Sequence, residues 1–304
     1  MRYVIAGANS FIGKSLFSTI TDHRSEFIKD SFVAVVRSNN DFVKAISKYE
    51  NVIVKYCEMD KYETIGKIVG KADCFIDLTW LGTRGNDRQD YQLQMYNYQC
   101  NLNAMNSMID SGCKILVSAG SQAEYGCFDG IITEETSCNP NTEYGKAKLL
   151  LYQKMEEVSK RNGLRFIEPR YFSLYGPFDY EGTLIMSVLR KLIKNERVDL
   201  NECLQIWDYM FVNDASYRLL CLCKDNSATG VFNFATGVHR VLKEYILEMK
   251  NTLDSKSVVN FGANKYDGLY INLRPSADKL NSFFPKIKLT SFSEGIRNTV
   301  KSLQ

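Results

Sequence analysis

Apolar runs that stop at a turn and hand over to a helical stretch recur through the N-terminal half, and this alternation limits the possible folds more than any other feature. The first run, Arg2 to Ala6 (RYVIA), ends at Gly7; in the following GANSFIGKSLFSTI, Phe11, Ile12, Leu16 and Ile20 recur at helical spacing. Further strands are expected at Phe32 to Ser38, Asn51 to Asp60, Asp73 to Thr79 and Lys114 to Gly120, with polar or helical stretches between them. Strands that alternate with helices pair in parallel through crossovers, so the chain reads as an α/β protein with a doubly wound parallel sheet.

Ligands of such a sheet bind beyond the carboxyl ends of its strands, where Gly7, Arg37, Asp60, Thr79 and Ser118 to Ser121 emerge. The turn carrying Gly7, Asn9, Ser10, Phe11, Ile12 and Gly13 is placed to hold a pyrophosphate. Glycine admits close backbone approach, and the helix N-terminus meets the negative charge. Ser10 stands where this fingerprint usually has its middle glycine. Leu78 and Thr79 close the fourth strand on the same side. The second strand ends Val36-Arg37-Ser38 with no carboxylate to bond a ribose 2′-hydroxyl, which favours NADP(H), with NAD(H) as the alternative. An ordinary solvated strand-end charge is the other reading of Arg37.

Tyr144 and Lys148 lie four residues apart in TEYGKAKLLLYQKMEEVSK, a stretch that reads as one helix, so phenol and ammonium share a face. A cation near a phenol favours the phenolate and brings its proton within reach of neutral pH; Lys148 is expected to be that cation. A chain with 18 tyrosines also produces such pairs by chance. Upstream lies a Ser-rich turn, SAGSQAEYG, which by itself reads equally as a strand-ending loop with a helix cap.

The composition narrows the partners. A net charge of +3, from 38 basic and 35 acidic residues dispersed along 304, gives no basic stripe for nucleic acid or an anionic membrane. Nine cysteines without a C-x-x-C and only two histidines leave no metal-ligand cluster, so reduced thiols and no metal are expected. No long apolar run suggests a membrane span, and the N-terminus enters a strand without a leader, so a cytoplasmic protein is expected.

Together the Gly7 to Gly13 turn, SAGSQAEYG and YGKAK resemble the extended short-chain dehydrogenase/reductases, the NAD(P)-dependent epimerase/dehydratase group that works on nucleotide sugars. Later segments fit the same resemblance: EPRYFSLYGPFD, QIWDYMFVNDAS (with Trp207 where the group usually has arginine) and LRPSADKL. The resemblance implies a Rossmann-type sheet domain with a smaller C-terminal α/β substrate-binding domain. Its expected boundaries are 1–172 plus about 205–237 for the first and 173–204 plus 238–304 for the second. It also implies roles. Tyr144 would be the acid/base and Lys148 its support, with Ser121 and the adjoining Gln122 at the substrate hydroxyl and Asn101 ordering the proton relay. Asp60 would approach the adenine, Tyr171, Phe172 and Ser173 the nicotinamide, and Arg274 the sugar diphosphate. A homodimer through the helices carrying Asn101 and Tyr144 is implied as well.

Dehydratases of this group carry Asp-Glu after the Ser/Thr, whereas this chain has Gln122 and Ala123, so dehydration lacks its acid/base pair. The expected activity is NADPH-dependent reduction of a nucleotide-activated 4-keto-6-deoxyhexose at C4. An NAD-dependent nucleotide-sugar 4-epimerase and a non-catalytic NADP-binding sensor or scaffold are the alternatives.

Overall fold

The computed structural model describes residues 1–265 and 271–303. The chain divides into two compact units, the first comprising Met1–Cys127, Thr136–Tyr171 and Ser216–Phe232, the second Phe128–Glu135, Phe172–Ala215 and the remainder from Asn233.

The first unit is built on a central sheet with strands β1 (Arg2–Ala6), β2 (Ser31–Val36), β3 (Val52–Tyr56), β4 (Cys74–Asp77), β5 (Ile115–Ser118), β6 (Gly120–Ser121) and β7 (Arg165–Tyr171). Its order is β3-β2-β1-β4-β5-β7, with Gly230–Phe234 at the far edge and β6 beside β7. The pairs from β3 through β7 are all parallel. The order reverses between β1 and β4, and strands leaving in opposite directions open a crevice there. Buried Val4, Ala6, Val33, Val35, Phe75 and Leu116 account for the near-continuous apolar strands. The helices Tyr91–Asp110 and Glu143–Asn162 cover this core with Ala104, Met105, Met108, Leu151 and Met155.

Local chemistry sets the element ends. Ser10, in place of the expected glycine, is the N-cap of the Phe11–Asp22 helix and accepts the Gly13 N–H at 3.1 Å. Thr142 caps the Glu143–Asn162 helix in the same way, and Gly163 ends it in the left-handed region. The third strand is shorter than the sequence suggests: after Cys57 the chain tightens into a 3₁₀ turn, Met59–Thr64.

The second unit holds short strand pairs and the helices Leu184–Ile193, Leu242–Thr252 and Phe292–Lys301 around Tyr175, Leu189, Phe211, Ile246 and Ile296. Three segments and Phe172 fall in this unit where the expected boundaries put them in the first. Segment 205–215 joins this unit because Tyr209–Phe211 pairs with Ser173–Tyr175, and Ile206–Trp207 with Arg240–Val241. Residues 128–135 join it through the Ile132–Pro275 bridge, and 233–237 because the Asn233 amide bonds the Ile132 carbonyl. The cations of the Leu184–Ile193 helix belong to a solvated face, with Arg190 paired to Glu181 and Lys194 to Glu196.

Gly126 follows the Ser-rich turn with φ +73°, and a Cβ there would lie 1.9 Å from the Asn139 carbonyl oxygen. Gly126→Ala is expected to cost more than about 2 kcal/mol through backbone strain and collision, read as a lowered melting temperature.

Candidate active site

The crevice at the sheet's switch point is a cleft of about 190 Å³ whose walls come from four chain segments. The turn after β1 gives Gly7, Asn9 and Ser10, and the end of β2 gives Arg37 and Ser38. Met59 and Tyr62 come from the 3₁₀ turn, and Leu78 to Leu81 follow β4. Gly7 has φ +76°, and a Cβ on it would press on the Leu78 backbone at 3.1 Å. A Cβ on Gly13 would come closer still, 2.3 Å from the Gly7 carbonyl oxygen, so the loop folds tightly onto the helix start. The Asn9 Oδ1 is buried without a hydrogen-bond partner. An unspent acceptor, a glycine turn at a helix N-terminus and an arginine on the opposite wall fit a dinucleotide. Phe11 and Ile12 begin the helix and Asp60 is exposed beside Met59; none of the three is among the cleft-lining residues.

The candidate chemistry sits at the turn after β5. Ser121 ends β6, opposite Tyr171 in the β6–β7 register, and opens a 3₁₀ turn that contains Gln122. Its hydroxyl hydrogen-bonds the Tyr144 phenol, so structure joins the two residues that the sequence only placed in order. Burial raises Tyr144 above the ordinary tyrosine value; the Ser121 bond and the Arg88 charge oppose that rise. Lys148, one turn along the same helix, is buried and donates to the Ala119 carbonyl at 2.6 Å. Desolvation lowers its ammonium to about 8, against the carboxylates Glu124, Asp77 and Glu168.

A second cation, besides the expected Lys148, lies beside Tyr144. The Lys148 ammonium faces Ala119 and the Trp80 ring, 3.6 Å from its centroid, while the cation over the Tyr144 ring is Arg88, at 4.5 Å. Trp80 touches both residues, meeting Tyr144 edge-on at 6.1 Å and lying under the Lys148 ammonium, so the two share one helix face.

Asn101 is buried in the Tyr91–Asp110 helix and donates to the Asn97 carbonyl one turn back. Its neighbours on that stripe fasten the loop above. Asn97 takes the Leu81 N–H and donates to the Leu81 carbonyl; Gln94 accepts from the Trp80 indole at 2.7 Å and donates to Gly82 and Asp87. Phe172, Ser173 and Arg274 lie in the second unit, where Arg274 faces Asp129 at 3.9 Å.

Beneath Ser121 is a buried ionic cluster that the sequence reading missed. Glu124 accepts the Ser121 N–H at 2.7 Å, closing a capping box, and Arg170 Nε donates to Glu124 at 2.9 Å and Glu168 at 3.1 Å. Burial raises both carboxyls, Glu168 well above the usual range because Glu124 adds its repulsion. Asp77 is a further buried carboxyl: it accepts from the Thr79 hydroxyl at 2.6 Å, and burial pushes it up to about 6. Signals for the cluster existed in S-x-x-E at Ser121 to Glu124 and in the alternating charges of RFIEPRYF, where Glu168 and Arg170 share one strand face.

Among the described residues no group of histidine, cysteine or acidic side chains could hold a metal ion, and no helix is long and apolar enough to cross a membrane. The family model for the NAD dependent epimerase/dehydratase family matches residues 3–235. The dTDP-6-deoxy-L-talose 4-dehydrogenase (NAD(+)) of Aggregatibacter actinomycetemcomitans is 26% identical over 282 residues, covering 89% of this chain and 98% of its own length. The dTDP-4-dehydro-6-deoxyglucose reductase of Escherichia coli is 20% identical, with 99% and 97% covered. Among solved structures, a UDP-N-acetylglucosamine 4-epimerase from Methanobrevibacter ruminantium superposes with a TM-score of 0.86 at 17% identity, covering 99% of this chain and 97% of its own. A UDP-glucuronic acid 4-epimerase from Bacillus cereus gives 0.82 at 13%, with 100% and 99% covered.

Arg170→Met would leave Glu124 and Glu168 buried without their cation, so it should cost about 3–5 kcal/mol, seen as a loss of folded protein or a strongly lowered melting temperature. Exposed pairs such as Lys44–Asp41 should be silent in the same assay, at under about 1 kcal/mol.

Proposed function

The chain belongs to the NAD dependent epimerase/dehydratase family, and from that premise we propose that it reduces a nucleotide-activated 4-keto-6-deoxyhexose at C4, with NADPH favoured as reductant. It is an NAD(P)-dependent oxidoreductase-type enzyme whose curated relatives act on nucleotide-linked 6-deoxyhexoses. The observation that carries the reading is the buried, hydrogen-bonded Ser121–Tyr144 pair beside Lys148. Gln122 and Ala123 supply no acid/base pair for eliminating water.

Gly7, Asn9, Ser10, Arg37, Ser38, Leu78 and Thr79 would hold the dinucleotide, with Arg37 toward a 2′-phosphate and the Asn9 Oδ1 toward a hydroxyl. Bound dihydronicotinamide supplies the hydride. Tyr144 donates its phenolic proton to the sugar oxygen as that oxygen becomes a hydroxyl. Burial raises the phenol above its ordinary value, so it rests protonated and ready to donate. Ser121 hydrogen-bonds the same oxygen and fixes its distance from the phenol. The Lys148 ammonium would hold the nicotinamide ribose.

A 4-epimerase that keeps NAD bound is the second reading, favoured by the fold likeness to two 4-epimerases. We further propose a homodimer through the outer faces of the two long helices, where Tyr91, Met95, Ala147 and Leu150 line a shallow apolar cleft.

NADPH oxidation with dTDP- or CDP-4-keto-6-deoxyglucose tests the reading, and Tyr144→Phe should lower kcat by about 10²- to 10⁴-fold. Interconversion of UDP-glucose and UDP-galactose without added cofactor would replace it with the epimerase. Light scattering should give twice the chain mass, and Leu150→Glu should shift that toward one.

A further inference from the structure

In the proposed reduction Ser121 meets the sugar oxygen and Lys148 the cofactor, whereas Arg88, which also lies against Tyr144, has no assignment. It comes from the 3₁₀ turn Gly85–Gln89, between β4 and the Tyr91–Asp110 helix. Its Cζ stands 4.5 Å from the Tyr144 ring centroid, and Trp80 meets the same ring edge-on. The side chain is half-buried, and among the described residues its guanidinium uses one N–H, on the Thr83 carbonyl at 3.2 Å. A guanidinium has five N–H donors and no acceptor, so the others are left for solvent or a ligand.

An arginine on a loose loop keeps such donors in water. This turn is not loose. Gln94 donates to the Gly82 and Asp87 carbonyls and accepts the Trp80 indole N–H, and Asn97 exchanges two hydrogen bonds with the Leu81 backbone. Both amides are buried, so water does not compete for these bonds. Gln89, the residue after Arg88, accepts the Glu143 N–H at 3.4 Å, one position before Tyr144. The turn is therefore pinned to both long helices, and the guanidinium is held beside the proton donor.

The sugar oxygen that the phenol serves lies one hydrogen bond from the ring that Arg88 touches. Substituents on the two neighbouring sugar carbons come within reach of the guanidinium. A group that only donates selects an acceptor. On a 6-deoxyhexose reduced at C4, C5 bears a methyl and C3 an oxygen, so the C3 oxygen is the acceptor on offer.

We propose that Arg88 is a specificity-determining residue that donates a hydrogen bond to the C3 oxygen, so that the enzyme selects 4-keto-6-deoxyhexoses with a 3-hydroxyl over their 3-deoxy counterparts. Penalty adds to attraction: a 3-deoxy sugar covers the guanidinium and leaves its donors with neither water nor partner. The proposal rests on the reductase reading, and its test separates the two.

Two substrates that differ only at C3, dTDP-4-keto-6-deoxyglucose and dTDP-4-keto-3,6-dideoxyglucose, are compared in NADPH oxidation. The wild type should favour the 3-hydroxy sugar by about 10- to 100-fold in kcat/KM. Arg88→Met keeps the stem over the ring and removes the donors; it should abolish the preference by slowing the 3-hydroxy sugar, with the 3-deoxy sugar changed by less than about threefold. Arg88→Lys, with one shorter-reaching ammonium, should keep an intermediate preference. Calorimetric binding of the corresponding 4-hydroxy nucleotide sugars needs no turnover and should show the same preference and the same loss. A wild type without the preference, or a ratio unchanged in Arg88→Met, overturns the proposal. So does an equal loss with both sugars, which would put Arg88 to work on the phenol or the fold. Tighter binding of a nucleotide-linked uronate, lost in Arg88→Met, would assign the guanidinium to a carboxylate on C5 and also overturn it. Should neither ketone be reduced while the 3-hydroxy ligand still binds more tightly through Arg88, the contact stands and the reductase reading falls.

Discussion

A guanidinium buried between two carboxylates governs the geometry of the candidate site. Arg170 has 2% of its side-chain surface exposed, Glu168 has 2% and Glu124 none, so each depends on the others for the interactions that water would otherwise provide. Such a cluster adds little net stability, because desolvation consumes most of the Coulombic gain, but it is intolerant of rearrangement. Glu124 has one carboxylate oxygen on Arg170 and the other on the Ser121 N–H. The turn is therefore fixed to a core strand, and Ser121 inherits its place beneath the Tyr144 phenol from that strand.

The other half of the site is fixed by polar residues on a helix that otherwise faces the core. The Tyr91–Asp110 helix buries Ala104, Met105 and Met108 against the sheet, and toward its N-terminus it buries Gln94, Asn97 and Asn101. Buried amides need partners, and those of Gln94 and Asn97 find them in the backbone of the loop that carries Trp80 and Arg88. The loop thus acquires a definite path above Tyr144 without regular structure of its own. Hydrogen-bond satisfaction, not packing, sets where the aromatic and the cation lie.

The departure at Ser10 has a physical resolution. The middle position of the glycine turn after β1 tolerates serine because its hydroxyl accepts the Gly13 N–H and caps the helix. The steric demands fall on Gly7, with its positive φ, and on Gly13, whose Cβ would collide with the Gly7 carbonyl. Cleft and helix start keep their shape with two glycines.

Much of this was legible in the chain. The alternation of apolar runs with helical stretches determined the parallel sheet, since period and length allow little else, and the order of Gly7, Ser121, Tyr144 and Lys148 along it determined which strand ends matter. The i, i+4 spacing placed Tyr144 and Lys148 on one face, which the shared contact with Trp80 bears out. Spacing along one helix could not say which way a flexible ammonium turns, because that depends on acceptors brought from β5 and on an indole brought from β4. Nor could it reveal Arg88, more than fifty residues away from Tyr144, or the closure of Arg170 onto Glu124. Local sequence determined the elements and the residue types at their ends. Tertiary structure alone decided which charges meet in the low-dielectric interior, because those charges come from segments distant in sequence and their energies depend on burial that no single segment creates.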